Sequence, residues 1–189
     1  MNKIAVFASG SGTNAENLIN FFKGNKKIEI SYIFSNNKNA YVIQRAKNHD
    51  IKHYIFSQSE FYNTTNIIQI LHKNNIDFII LAGFLWLIPD YLIKIYPNRI
   101  INIHPALLPK YGGKGMYGMN VHKAVIENNE KETGITIHYI NNEYDKGNII
   151  FQAKCLVNKD DTAETIAKKV HALEYEHFPK IVKKIITDL

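Results

Sequence analysis

Asn102 and His104 stand one residue apart at the end of a β-branched apolar run, I-I-N-I-H-P-A-L-L-P-K at 100–110. Pro105 removes a backbone donor and biases the residue before it towards an extended conformation, so a strand should end at His104. Alternate strand residues face the same side, which points the amide and the imidazole the same way. An amide offers fixed hydrogen bonds, and an imidazole exchanges protons near neutral pH. Together they suit chemistry on a small molecule held outside the carboxyl end of a strand, where open α/β sheets collect their ligands. Two polar residues at a strand exit also serve simply to satisfy loop backbone. The rest of the chain has to decide between these roles.

Two other stretches bear on that choice. S-G-S-G-T-N at 9–14 directly follows the apolar run I-A-V-F-A and precedes an amphipathic segment. Strand, glycine-rich turn and helix is the arrangement that aims backbone amides at a phosphate. The spacing matches neither G-x-G-x-x-G nor a P-loop, so it indicates neither NAD nor ATP. G-F-L-W-L-I at 83–88 carries five large apolar side chains out of the most hydrophobic run, D-F-I-I-L-A at 77–82. It offers one apolar wall.

The elements that would position these groups follow from periodicity. Strands are expected at 3–8, 28–35, 51–56, 77–82 and 99–103, then at 134–140 and 148–157. Helices are expected at 14–22, 41–48, 60–74, 89–96 and 120–128, and a long amphipathic one at 162–186, capped by Asp161 or Thr162. The alternation implies a doubly wound, mostly parallel open α/β sheet of about seven strands with helices on both faces. No linker or repeat divides the 189 residues, so one domain is expected. The glycine-rich segment K-Y-G-G-K-G-M-Y-G at 110–118 reads as a loop.

Composition narrows the function classes. The net charge of +6 fits anionic small molecules. The lysines are scattered with no basic run interleaved with aromatics, which argues against nucleic acid. The single Cys155 excludes an internal disulfide and a thiolate metal cluster. The eight histidines show no ligand spacing, and no metal is expected. The first residues read as a strand rather than a leader. No apolar run approaches the ~20 residues of a membrane helix, so a cytoplasmic protein is expected.

With the phosphate turn, the apolar loop and the N-I-H strand end opening on one sheet edge, the chain closely resembles the folate-dependent formyltransferases of purine synthesis. The resemblance runs over essentially the whole length. Its most specific parts are N-I-H-P-A-L-L-P-K at 102–110 and Y-D-K-G-N-I-I at 144–150. It implies transfer of a formyl group from 10-formyltetrahydrofolate to the amine of glycinamide ribonucleotide, with Asn102, His104 and Asp145 as catalytic trio. An amide N–H and an imidazole N–H suit the oxyanion that develops at the formyl carbon. A carboxylate beside the imidazole favours its protonated form or relays a proton.

The resemblance also implies the substrate phosphate on the backbone of Gly12, Thr13 and Asn14, and Glu174 on the substrate's amine or ribose. Lys110 and the glycine-rich loop would close over the substrate. Leu85, Trp86, Leu87 and Ile88 would line the pterin slot, with Asn102 and Asp145 also meeting the folate. His138, on the strand before Asp145, stands near the trio or simply packs. Trp86 occupies a position where many members have arginine, the 110–118 stretch is longer than in the shortest members, and 57–66 offers no arginine to the folate's glutamate tail. The N-terminal half is thus expected to carry the phosphate side, the C-terminal half the folate and catalytic side, in a monomer or homodimer. A relative acting on an amino-sugar nucleotide is the nearest alternative. A non-catalytic phosphate-ligand binder on the same fold is the alternative from another class, and it has no use for a proton-relay carboxylate.

Overall fold

Ile4 and Val6 turn one way along the first strand, Ala5 and Phe7 the other, and all four are fully buried. A strand buried on both faces belongs in the middle of a sheet covered by helices on both sides. The computed structural model, which describes residues 1–188, puts β1 (Asn2–Phe7) there. The other strands are β2 (Ile28–Ser35), β3 (Lys52–Ile55), β4 (Phe78–Leu81), β5 (Ile100–His104), β6 (Glu132–Tyr139) and β7 (Ile149–Leu156). They form one seven-stranded sheet in the order β3-β2-β1-β4-β5-β6-β7. The first five strands are mutually parallel, and β6 and β7 run antiparallel to their neighbours. This is the doubly wound architecture expected from the alternation of elements.

Two cores flank the sheet. One holds the apolar sides of α1 (Thr13–Phe22), α2 (Tyr41–Asn48) and the long α7 (Ala163–Thr187). The other holds those of α3 (Gln58–Asn63), α4 (Asn66–Lys73) and α5 (Asp90–Ile95). The remaining helix, α6 (Met119–Glu127), packs on α7. At the centre of the second core Phe7 stacks on Phe34 at 4.7 Å, with Phe56, Phe61 and Phe84 around it. On β5, Ile101 and Ile103 belong to the first core and Ile100 to the second. Asn102 and His104 therefore emerge together on the second side, as the period of two requires.

The single helix expected over 60–74 is two. Ser57 and Glu60 close a reciprocal capping box that starts α3 two residues earlier, and Thr64 is extended. The Thr64 hydroxyl turns back on the Glu60 carbonyl at 2.9 Å and stops the helix, and α4 begins afresh at Asn66. At the other end of the chain Thr162, not Asp161, is the N-cap of α7, boxed with Thr165. Pro179 sits inside α7 and leaves the Tyr175 carbonyl without its helical donor. Asn17 of α1 fills that vacancy through Nδ2 at 3.1 Å, so the proline becomes a docking point between the two helices. Among the described residues no helix is long and apolar enough to cross a membrane.

Candidate active site

The turn after β1, the loop after β4, the end of β5, the 111–118 loop and helices α6 and α7 enclose a cleft of about 770 Å³. On the side of the 9–14 turn, Gly12 holds a left-handed φ of 72° and lies against Val42 of α2. A Cβ there would sit 2.4 Å from Val42 Cγ2. The turn is tied down from α2, where the Val42 N–H meets the Gly10 carbonyl at 3.2 Å and Arg45 Nε donates to the Ser11 carbonyl at 2.8 Å. Arg45 also pairs with Glu16 of α1 and lies over the Tyr41 ring. Gly12→Ala should therefore cost about 2–4 kcal/mol of stability, from the left-handed backbone and the overpacking together. A denaturant midpoint measures that loss, and a raised KM for a phosphorylated substrate would accompany it.

Asn14, in the first turn of α1, gives its Nδ2 to Glu174 Oε2 at 2.9 Å, while its Oδ1 is buried without a partner. Glu174, only 5% exposed, also meets His171 Nδ1 at 3.1 Å one turn earlier on α7. The bond to Glu174 pushes the His171 imidazole above its ordinary range. Beside them His122 of α6 is buried with its Nδ1 unpartnered, and burial drives its pKa down. This corner presents acceptors to the cleft, and a ligand that fits it brings hydroxyl or amine donors.

At the far end Asn102, His104, His138 and Asp145 interlock. His138 Nδ1 lies 2.8 Å from the Tyr139 carbonyl, so that nitrogen carries the hydrogen and Nε2 accepts. Asn102 Nδ2 donates to His138 Nε2 at 3.0 Å, which fixes the amide's orientation. Its second N–H reaches Asp145 Oδ1 at 3.5 Å, the long limit of a hydrogen bond, and is the one available to an incoming oxygen. Asp145 Oδ2 stands 3.6 Å from His104 Nδ1 and accepts the Gly113 N–H at 2.9 Å. Burial alone would raise the Asp145 carboxyl, but His138, His104 and the Gly113 amide together hold it below its usual range. Burial dominates at His104, 4% exposed, and lowers its pKa against the pull of Asp145 and the Tyr111 carbonyl.

The structure thus brings Gly12, Thr13, Asn14, Leu85, Trp86, Asn102, His104, Asp145 and Glu174 around one cleft. Three other expected residues lie outside its wall. Lys110 turns to Glu130 at 2.8 Å on the protein surface, and Lys114 of the same loop faces the cleft instead. Ile88 is packed in the second core, and Leu87 offers only its carbonyl, to the Tyr62 hydroxyl at 2.9 Å. The apolar wall is Phe84, Leu85 and Trp86, with Trp86 propped on Phe56, Phe61 and Tyr62 at 5.9–6.1 Å. Sequence reasoning read Phe84 only as part of the apolar 83–88 stretch, and missed His122 and Tyr144 in the wall. It also missed His171, although its spacing of three from Glu174 on one helix face carried a signal.

A mostly parallel sheet with a glycine turn after the first strand and an Asn-x-His strand end facing a carboxylate defines a class, and a family profile described as formyl transferase matches residues 2–182. The chain belongs to that family. It is 38% identical to the chloroplastic phosphoribosylglycinamide formyltransferase of Arabidopsis thaliana, over 97% of this chain and 65% of the plant one. It is 35% identical to the phosphoribosylglycinamide formyltransferase of Bacillus subtilis, over 98% and 95% of the two chains. The chain thus spans under two thirds of the plant relative and nearly all of the bacterial one. The crystal structure of phosphoribosylglycinamide formyltransferase from Anaplasma phagocytophilum superposes with a TM-score of 0.89 at 33% identity, covering 99% of this chain and 88% of that one.

Proposed function

We propose that this protein transfers the formyl group of 10-formyltetrahydrofolate to the amine of glycinamide ribonucleotide, a step of purine synthesis. The observation that carries the proposal is the meeting of Asn102, His104 and Asp145 within 3.5–3.6 Å at one end of a cleft whose other end is a glycine turn. The turn 10–14 takes the phosphate, with backbone N–H groups and the α1 N-terminus as donors. Glu174 and the Asn14 Oδ1 take the ribose hydroxyls or the amine. The planar pterin lies against Phe84, Leu85 and Trp86.

The uncharged amine attacks the formyl carbon. The new N–C bond forms as the carbonyl oxygen gains charge, and the free Asn102 N–H stabilises that oxyanion. The amine gives up a proton to the His104–Asp145 pair, and the same proton passes to the folate nitrogen as its bond to the formyl carbon breaks. His104 is suited to this because its depressed pKa keeps it neutral, and so able to accept a proton, at physiological pH. The proposal takes residues 1–189 as one catalytic domain working on small molecules in the cytoplasm, as a monomer or homodimer.

Purified protein given 10-formyltetrahydrofolate should release tetrahydrofolate only when glycinamide ribonucleotide is added. Release without an amine acceptor would mean a hydrolase. Turnover with an amino-sugar nucleotide alone would name a different acceptor, and no turnover with any amine would leave a binding module.

A further inference from the structure

We propose that Tyr111 and Glu130 are positioning residues that fix the tautomer of His104, and so select Nδ1 as the nitrogen that exchanges the proton. Tyr111 occupies the left-handed region with φ 57°, uncommon for a residue with a side chain and costly for a bulky one. That backbone turns its carbonyl onto His104 Nε2 at 2.8 Å. A carbonyl only accepts, so Nε2 must carry the hydrogen, and in the neutral ring Nδ1 is left as a bare lone pair. Nδ1 is also the nitrogen that faces Asp145 Oδ2, at 3.6 Å.

What holds Tyr111 in this conformation is its side chain. The hydroxyl donates to Glu130 Oε1 at 2.9 Å, across the gap between the loop and the start of β6. Burial and that carboxylate push the phenol up to about 12, so it stays a donor throughout the working range. Two residues on, the Gly113 N–H binds Asp145 Oδ2 at 2.9 Å. Between them Gly112 has no room for a side chain, since a Cβ would come within 2.6 Å of Leu108 and 3.2 Å of Asp145. One tripeptide therefore sets both partners of the proton transfer: its first carbonyl orients the imidazole and its last amide orients the carboxylate.

The chemical consequence is directional. The attacking amine's proton moves to Nδ1 as the N–C bond forms. The resulting imidazolium is held on both sides, by the hydrogen bond from Nε2 to the Tyr111 carbonyl and by the charge of Asp145, 3.6 Å from Nδ1. It returns the proton to the leaving folate nitrogen as the C–N bond breaks. With the opposite tautomer, Nδ1–H would have no lone pair for the amine proton and Nε2 would point its own at a carbonyl oxygen.

The role of Nδ1 rests on the formyl-transfer reading, whereas the tautomer itself is measured without substrate. Full-length protein labelled with 15N-histidine is examined at a pH above the ordinary histidine range, and the His104 signals among the eight histidines are identified by their loss in His104→Gln. The wild type should show hydrogen on Nε2. In Tyr111→Phe and Glu130→Ala, the hydrogen should redistribute over both nitrogens. kcat should fall roughly tenfold, the scale of one hydrogen bond to a charged group, with little change in KM. Glu130→Gln keeps an acceptor for the phenol and should restore both signature and rate. Hydrogen on Nδ1 in the wild type overturns the proposal even if no variant folds. So does an unchanged Nε2–H signature in the two folded variants. A wild type that carries Nε2–H but transfers no formyl group would overturn the functional reading and leave the tautomer standing.

Discussion

Asp145→Asn should reduce kcat by about 10³ while the affinity for glycinamide ribonucleotide changes little, within the 10²–10⁴ that a positioned acid–base group supplies. The substitution is close to isosteric. Asn tolerates the left-handed φ of 56° at this position, and its Oδ1 still accepts from the Gly113 amide, so the turn keeps its shape. What is lost is the negative charge 3.6 Å from His104 Nδ1 and from His138 Nε2. Without it, burial at His104 is unopposed by its largest counterweight, and an imidazolium forming there has no counter-charge.

The pH dependence carries the sign. His104 acts as a base when neutral, and its pKa in the folded protein already lies below the ordinary 6.5. The acid limb of kcat/KM in the wild type should therefore fall below pH 6.5, and in the residual activity of Asp145→Asn it should move lower still. For stability, a histidine with a depressed folded pKa favours the unfolded chain once protonated. The stability this neutral histidine allows is therefore full above pH 6.5 and is lost as pH drops from 6.5 towards the lower folded value. Calorimetry of substrate binding beside steady-state rates separates the effects. A variant that keeps most of its rate would remove Asp145 from the proton path.

The contrast between what was legible in the chain and what was not has a physical basis. The sheet was legible because its strands are buried on both faces: F-I-I-L and I-A-V-F leave no other packing solution. The Gly12 turn was legible because glycine there answers a steric demand, which the Val42 contact makes concrete. Helix boundaries inside 58–73 were not read because the apolar period runs on through Thr64 and Thr65, while the stop is a single hydroxyl folded back on Glu60. The Ser57-x-x-Glu60 pattern that starts α3 stands in the sequence all the same.

The candidate site divides in a similar way. Asn102 and His104 are near neighbours in one strand, so the period of two predicts their shared direction. Asp145 is 41 positions from His104, and only the resemblance joined them, because no local pattern says that the turn after β6 curls back over β5. Lys110 was expected over the substrate for its charge and its place beside the loop. The structure gives it to Glu130, 20 residues away, at 2.8 Å. Ile88 failed as a wall residue because an apolar side chain in a loop beside a core is drawn into that core. The role of His138 hangs on which of its nitrogens carries hydrogen, and a sequence holds no information about that.

Asn102→Leu should cost about 10²–10³ in kcat, the loss seen when one oxyanion donor is removed. Leucine matches asparagine in size and cannot donate, so the N–H that meets Asp145 only at 3.5 Å, and is free to turn to the developing oxyanion, disappears. A second effect follows from the partner left behind. His138 is fully buried, and its Nε2 would lose the donor it now has at 3.0 Å. The ring, left with an unpaired buried acceptor 3.6 Å from Asp145 Oδ1, is then free to reorient against that carboxylate and compete with His104 for it. The two effects are separable. In Asn102→Leu combined with His138→Leu, the competing imidazole is gone, and part of the loss should return with the oxyanion donor still missing. If the double variant is no faster than the single one, the whole cost lies in the missing N–H. If Asn102→Leu alone keeps its rate, the amide is a structural ligand of His138 and takes no part at the formyl oxygen.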